Sequence, residues 1–403
     1  MKRSDTHIRT SHAGSLPRPD ELIAENQARL AGTVDEKRFR ETLHRATREV
    51  VRRQKEIGID TPNDGEFGKA MWHRVNYGAW WSYSFQRLNG LGLADDATEL
   101  DMPPRHSAPG QVVLTSMAER RDRVKFRAAY SDPVAGVSMG PIVMRRPICV
   151  GPVSYVGHEA IKTDIANFKA GLAAAGVSEG FMTSVAPGSA ARLRNEYYKT
   201  DEEFIFAMAD AMREEYKAIV DAGLLLQLDD PSIAENYDQI SPAPSVADYQ
   251  KFSMIRVEAL NHAIRGLPPD RIRFHLCWGS WHGPHTTDIP MRDIVEVMLA
   301  IKTQAYSFEA ANVRHEHEYA VWNEVKLPDG KIILPGIVSH ATNVVEHPQL
   351  VAERIVRFAK IVGRERVIAA TDCGLGGRIH PQIAWAKLEA LSEGAAIASK
   401  QLW

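Results

Sequence analysis

Leu224-Leu225-Leu226-Gln227-Leu228-Asp229-Asp230-Pro231 is the stretch that decides the fold. Four leucines and one glutamine leave neither face of a strand polar, so the run reads as a strand buried on both sides. Strands of that kind belong to parallel sheets covered by helices. The run stops at two carboxylates and a proline, which cannot extend a hydrogen-bond ladder. Upstream, Gly223 ends a helical pattern that starts at Thr200-Asp201-Glu202-Glu203, a capping-box spacing. A helix feeding a doubly buried strand is one βα repeat.

The same unit recurs in both directions. Residues 272–277, 305–309, 332–338 and 367–370 follow it, and residues 8–15, 59–66 and 180–187 precede it. Residues 34–57 carry apolar side chains at helical spacing until Gly58 stops them. Eight strand-like runs, most followed by a helical pattern, predict an α/β fold: a (β/α)8 TIM-type barrel. The rhythm breaks over residues 90–178. An alternating segment at 137–153 predicts a β-ribbon there, and the basic run Arg120, Arg121, Arg123 and Lys125 reads as a solvated surface. We therefore expect residues 1–403 to form a single barrel domain with an insertion at 90–178, between strands 2 and 3. No internal repeat of solenoid length is visible.

Composition narrows the function classes. Lys and Arg number 49 against 51 Asp and Glu, a formal charge of −2, so no basic footprint for nucleic acid or an anionic membrane exists. No apolar run is long enough to cross a bilayer, and Met1-Lys2-Arg3-Ser4-Asp5 lacks the apolar core of a signal peptide. Three cysteines, Cys149, Cys277 and Cys373, are too few for a disulfide framework and suit free thiols or metal ligands in a reducing cytoplasm.

Reactive side chains gather at the predicted strand ends, where a barrel keeps its active site. In Phe274-His275-Leu276-Cys277 the histidine and cysteine lie two apart and face one way, half of a tetrahedral zinc site. His-x-Cys alone is a weak signal. Two further strand ends strengthen it: Glu309 closes one apolar run, where a bare carboxylate is costly unless paired or metal-bound, and Cys373 closes another in Thr371-Asp372-Cys373-Gly374. Cys149 lies in the insertion and reads as a packed or surface thiol.

With these motifs in view, the chain resembles the cobalamin-independent methionine synthase family. The likeness is to its catalytic C-terminal barrel and the short single-barrel branch that includes epoxyalkane:coenzyme M transferases. The motifs are His12-Ala13-Gly14-Ser15-Leu16-Pro17, Asp64-Gly65-Glu66, Gln227-Leu228-Asp229-Asp230-Pro231, His275-Leu276-Cys277, Phe308-Glu309 and Thr371-Asp372-Cys373-Gly374. The resemblance implies a zinc ion held by His275, Cys277, Glu309 and Cys373, on which an acceptor thiol binds as thiolate. It implies that Glu66 and Asp229 hold the acceptor's amine, with the backbone near Ser15 on its carboxylate; the plain alternative pairs those carboxylates with Arg9 or Arg18. It also implies that His340 protonates the departing group, provided that residue is in register.

Departures from the family pattern bear on the donor. Nothing here could encode a second, N-terminal barrel, and the loop Thr183-Ser184-Val185-Ala186-Pro187-Gly188 lacks the tryptophan that faces a pterin. Trp80 and Trp81 are the candidates to replace it. The histidines His282, His285, His315 and His317 read as pocket-shaping or hydrogen-bonding groups rather than a second metal site. The reading is thus zinc-dependent methyl or alkyl transfer to a small-molecule thiol, with homocysteine favoured as acceptor and a methylfolate or methylated corrinoid protein among possible donors. The alternatives are thiol addition to an epoxide with coenzyme M, a C–S lyase, and a uroporphyrinogen decarboxylase-like barrel, in which the His/Cys/Glu/Cys set would have no purpose.

Overall fold

The doubly buried run forms a strand with every residue buried and parallel neighbours on both sides. The structure, a computed structural model, describes residues 1–71, 73, 78–93, 104–137 and 147–403. Its strands are β1 (Arg9–Thr10), β2 (Leu88–Leu93), β3 (Pro147–Tyr155), β4 (Phe181–Val185) and β5 (Arg194–Asn195), then β6 (Leu225–Asp229), β7 (Ile272–Leu276), β8 (Ala305–Phe308), β9 (Ile332–Val338) and β10 (Ile368–Thr371). Seven make one parallel sheet in the order β1-β10-β9-β8-β7-β6-β4. Its two edges are joined through residues 59–63: Thr61 N donates to Thr10 O at 3.1 Å, and Asn63 bridges Phe181 in parallel. The run expected as a strand at 59–66 is thus a single bridge, because Gly65 and Glu66 turn the backbone away at φ 71° and 60°. The fold is the α/β TIM-type barrel.

Helices cover the outside. Glu36–Glu56 starts at Asp35, whose carboxylate accepts from the amides of Lys37 and Arg38, and buries Phe39, Leu43, Ala46, Val50 and Val51 along one stripe. Asp201–Asp221 starts at Thr200, which accepts from Glu203 N as the capping spacing predicts. Helix His158–Ala175 falls within the range 90–178 yet packs against both of these helices, so it belongs to the outer layer. Among the described residues no helix is long and apolar enough to cross a membrane.

The remainder of that range does leave the barrel. β2 and β3 pair antiparallel, with β5 added parallel to β3; residues 138–146 of the alternating segment lie outside the described residues. Cys149 is packed in β3 and fully buried. The basic run is not a solvated surface throughout. Arg120 is buried, donates to Glu235 Oε1 at 2.6 Å and Asp238 Oδ2 at 2.8 Å, and stacks over Trp281 at 4.0 Å. Those three partners lie in the loops after β6 and β7, so the excursion is pinned to the carboxyl-terminal mouth of the sheet. Lys125, one turn on, is exposed as expected.

Candidate functional site

At the mouth, parallel register sets Asp229 of β6 beside His275 of β7, and His275 beside Ser307 of β8. Ser307 Oγ lies 3.0 Å from His275 Nδ1, which fixes the ring and leaves Nε2 buried, facing the Cys373 thiol and without a close hydrogen-bond partner among the described residues. Cys277, two residues on, places Sγ 3.7 Å from Cys373 Sγ and accepts from Gly279 N at 3.2 Å. One donor atom each from His275, Cys277 and Cys373 lies within 4.8 Å of the others. Cys373 is pushed well below the ordinary thiol range by the Cys277 hydrogen bond, despite burial, with the Arg378 and His275 charges helping. Cys277 goes well above it because it keeps that shared proton, with burial adding.

This donor set fits zinc. Two thiols and an imidazole are the ligand types zinc prefers, and a tetrahedron with Zn–S bonds of about 2.3 Å has sulfurs about 3.8 Å apart. The orphaned Nε2 supports the same reading, since a buried polar atom without a partner is costly.

Glu309 stands in a second group, with His340 and Asp372, whose donor atoms also lie within 4.8 Å of one another. The structure thus brings three of the four anticipated ligands together and sets the fourth alongside, close enough that its charge acts on His275 and Cys277. Glu309 Oε1 accepts from Trp278 N at 2.9 Å and Oε2 from Asn312 Nδ2 at 2.8 Å. Asp372 Oδ1 accepts from the amides of Ala310 and Ala311 at 2.7 and 2.8 Å. Asp372 sits so tight on β9 that a Cβ at Gly336 would lie 2.1 Å from Oδ1. Burial raises Glu309 to about 7 and Asp372 to about 6. His340, just beyond β9, is buried with Nδ1 unpartnered, and burial lowers it to about 3, so its ring is neutral.

The acceptor-side residues meet on the β4–β6 side of the mouth. Glu66 has left-handed backbone and its amide donates to Asp64 Oδ1 at 2.9 Å. Its Oε1 accepts from Thr183 Oγ1 at 2.6 Å; its Oε2 is buried without a partner among the described residues. Asp229 Oδ1 accepts from Gln227 Nε2 at 2.6 Å. Burial raises Asp229 to about 7, opposed by the charges of His275 and Lys69 and assisted by that of Glu66. Ser15 O accepts from the amides of Leu375 and Gly376, both at 2.9 Å, which ties the first loop to the loop carrying Cys373. A Cβ at Gly374 would lie 2.8 Å from Ser15 Cβ, so that approach requires glycine.

Neither Arg9 nor Arg18 is the cation paired with the Glu66 carboxylate, although the Arg18 charge acts on it. Arg18 donates to Ser15 Oγ and to the carbonyls of Leu16, Glu66 and Lys69; Arg9 reaches Asp60 O and Thr61 Oγ1. That cation is Lys69, with Nζ 3.5 Å from Glu66 Oε1 and 2.6 Å from Thr183 Oγ1. Sequence reading missed it: its spacing of three from Glu66 was the available signal. Among the extra histidines, His285 and His315 share Asp288 at 3.0 and 3.2 Å, and His315 also meets Glu318 at 2.7 Å. Against the cost of burial, those two carboxylates push His315 up to about 10. His317 is exposed, and none of the four joins either donor group. Trp81 spends its indole N–H on Ser189 O at 2.8 Å.

The chain is similar to known proteins over most of its length. Residues 110–396 match the model described as cobalamin-independent synthase, catalytic domain. A methionine synthase of Thermococcus kodakarensis is 24% identical over 400 residues, covering 98% of this chain and 94% of that one. A methionine synthase of Sulfolobus acidocaldarius is 23% identical over 407 residues, covering 100% and 95%. Among solved structures, a B12-independent methionine synthase from Shewanella sp. W3-18-1 superposes with TM-score 0.67 at 21% identity, covering 98% of this chain and 99% of that one.

Proposed function

The chain belongs to the cobalamin-independent synthase family, and from that premise we propose that it transfers a methyl group to the sulfur of homocysteine. The carrying observation is the buried, partnerless Nε2 of His275 facing two thiols 3.7 Å apart. Whole-length likeness to proteins named methionine synthase supports the acceptor. His275, Cys277 and Cys373 would hold zinc, with Glu309 beside them as the fourth ligand. Zinc bound there supplies the positive charge that keeps an acceptor thiol deprotonated and nucleophilic at neutral pH.

The chain's own residues do the rest. Glu66 and Asp229 present carboxylate oxygens to the acceptor's ammonium, each contact a charge-assisted hydrogen bond. The loop at Ser15, fastened to the Cys373 loop, receives the carboxylate end. The buried walls exclude water and strengthen these contacts. His340, neutral at rest, would pass a proton to the departing donor fragment. The domain plan (one barrel over residues 1–403 with an excursion at 90–178) and a cytoplasmic location are parts of the same proposal.

The test is an acceptor and donor screen on the zinc-loaded protein. Methyl transfer to homocysteine from a methylfolate or a methylated corrinoid protein is the expected outcome. Turnover of an epoxide with coenzyme M, and none with homocysteine, would replace this reading.

A further inference from the structure

Glu66 is built with its two oxygens in different states. Oε1 is satisfied by Thr183 Oγ1, and Lys69 Nζ stands 3.5 Å away; Oε2 is buried and, among the described residues, bare. Thr183 Oγ1 accepts from Lys69 Nζ and donates to Glu66 Oε1, so one short chain of contacts runs from ammonium to hydroxyl to carboxylate. Lys69 is itself only 6% exposed, and its ammonium lies over the Tyr83 ring at 4.4 Å. Gly14 closes the other side: a Cβ there would lie 2.8 Å from Glu66 Oε1 and 2.7 Å from Thr183 Cγ2.

Burying a carboxylate, a lysine and a second carboxylate, Asp229, in one mouth is expensive unless the charges are matched. Lys69 offsets one of the two negative charges. What remains open is the bare Oε2 of Glu66, an acceptor for a cationic donor. Resting on the proposed acceptor site, we propose that Lys69 is a positioning residue that makes this pocket selective for a thiol carrying one ammonium group. It does so by holding Glu66 through Oε1, so that Oε2 is presented to the ligand. The class of acceptor follows: an amino-acid thiol, in preference to a thiol bearing only a carboxylate or sulfonate.

Calorimetric binding of two acceptors to the zinc-loaded protein tests this without any methyl donor. The acceptors are homocysteine and its des-amino analogue, which keeps the chain, the thiol and the carboxylate. In Lys69→Met the dissociation constant for homocysteine should rise about tenfold, as expected for one misplaced charge-assisted contact, while that for the analogue stays within about twofold. Lys69→Arg should recover most of the loss, and Thr183→Val should reproduce it. Equal weakening of both ligands in Lys69→Met, or no weakening of homocysteine, overturns the proposal. Failure of the unaltered protein to bind homocysteine at all is a different result: it removes the acceptor assignment itself, and with it this inference.

Discussion

Two groups of potential ligands sit side by side in the mouth, and they are not alike. In His275, Cys277 and Cys373 the donor atoms have little to do: the imidazole Nε2 has no partner and the thiols face each other. In Glu309 and Asp372 all four carboxylate oxygens already accept hydrogen bonds, two of them from backbone amides and the other two from Asn312. Proximity alone ranks the groups equally. Both histidines keep a bare buried ring nitrogen, so what separates the groups is that the thiols of the first are uncommitted while the carboxylates of the second are occupied by amides. The first group is built to receive a cation; the second is built to hold the loop after β8 in place and to keep Glu309 within reach of the first.

The comparison breaks most sharply at Cys373. Cys373→Ser should lower zinc affinity by more than about 100-fold, read as metal content after dialysis, since a thiolate ligand is replaced by a weakly acidic hydroxyl. Asp372→Ala should act on the fold instead, stranding the amides of Ala310 and Ala311. A loss of about 2–4 kcal/mol in denaturant unfolding is expected, as for stripping a buried charged acceptor from its donors. If it removed metal while leaving stability intact, the two groups would have been assigned the wrong way round. Glu309→Gln keeps an acceptor for Trp278 N but drops the charge. Zinc affinity should fall by about 10- to 100-fold with the melting temperature little changed. The smallest effect is expected at Ser307→Ala, which frees the His275 ring: about a tenfold loss of zinc affinity.

Much of this was legible beforehand, for a physical reason. Doubly buried parallel strands are largely apolar, so residues 225–228 and 332–338 announce themselves locally, as does the capped helix at Thr200. Pairing across the sheet has no local signature. Nothing near Arg120 says that Glu235 and Asp238 will take its charge, so a basic run that looked solvated supplies a buried anchor. Lys69 was passed over although it lies three residues from Glu66: its other partner, Thr183, reaches it only when the Glu66 loop and β4 are brought together. The four anticipated ligands were singled out by residue type, strand-end position and the family resemblance. Their division into three plus one was not, because it depends on which oxygens Trp278 N and Asn312 occupy.

Zinc K-edge X-ray absorption on freshly purified protein, with metal content measured on the same sample, bears most directly on the central claim. The account predicts about one zinc per chain with two sulfur neighbours at about 2.3 Å and lighter nitrogen or oxygen neighbours near 2.0–2.1 Å. A protein without zinc, or a zinc surrounded by nitrogen and oxygen alone, would contradict it.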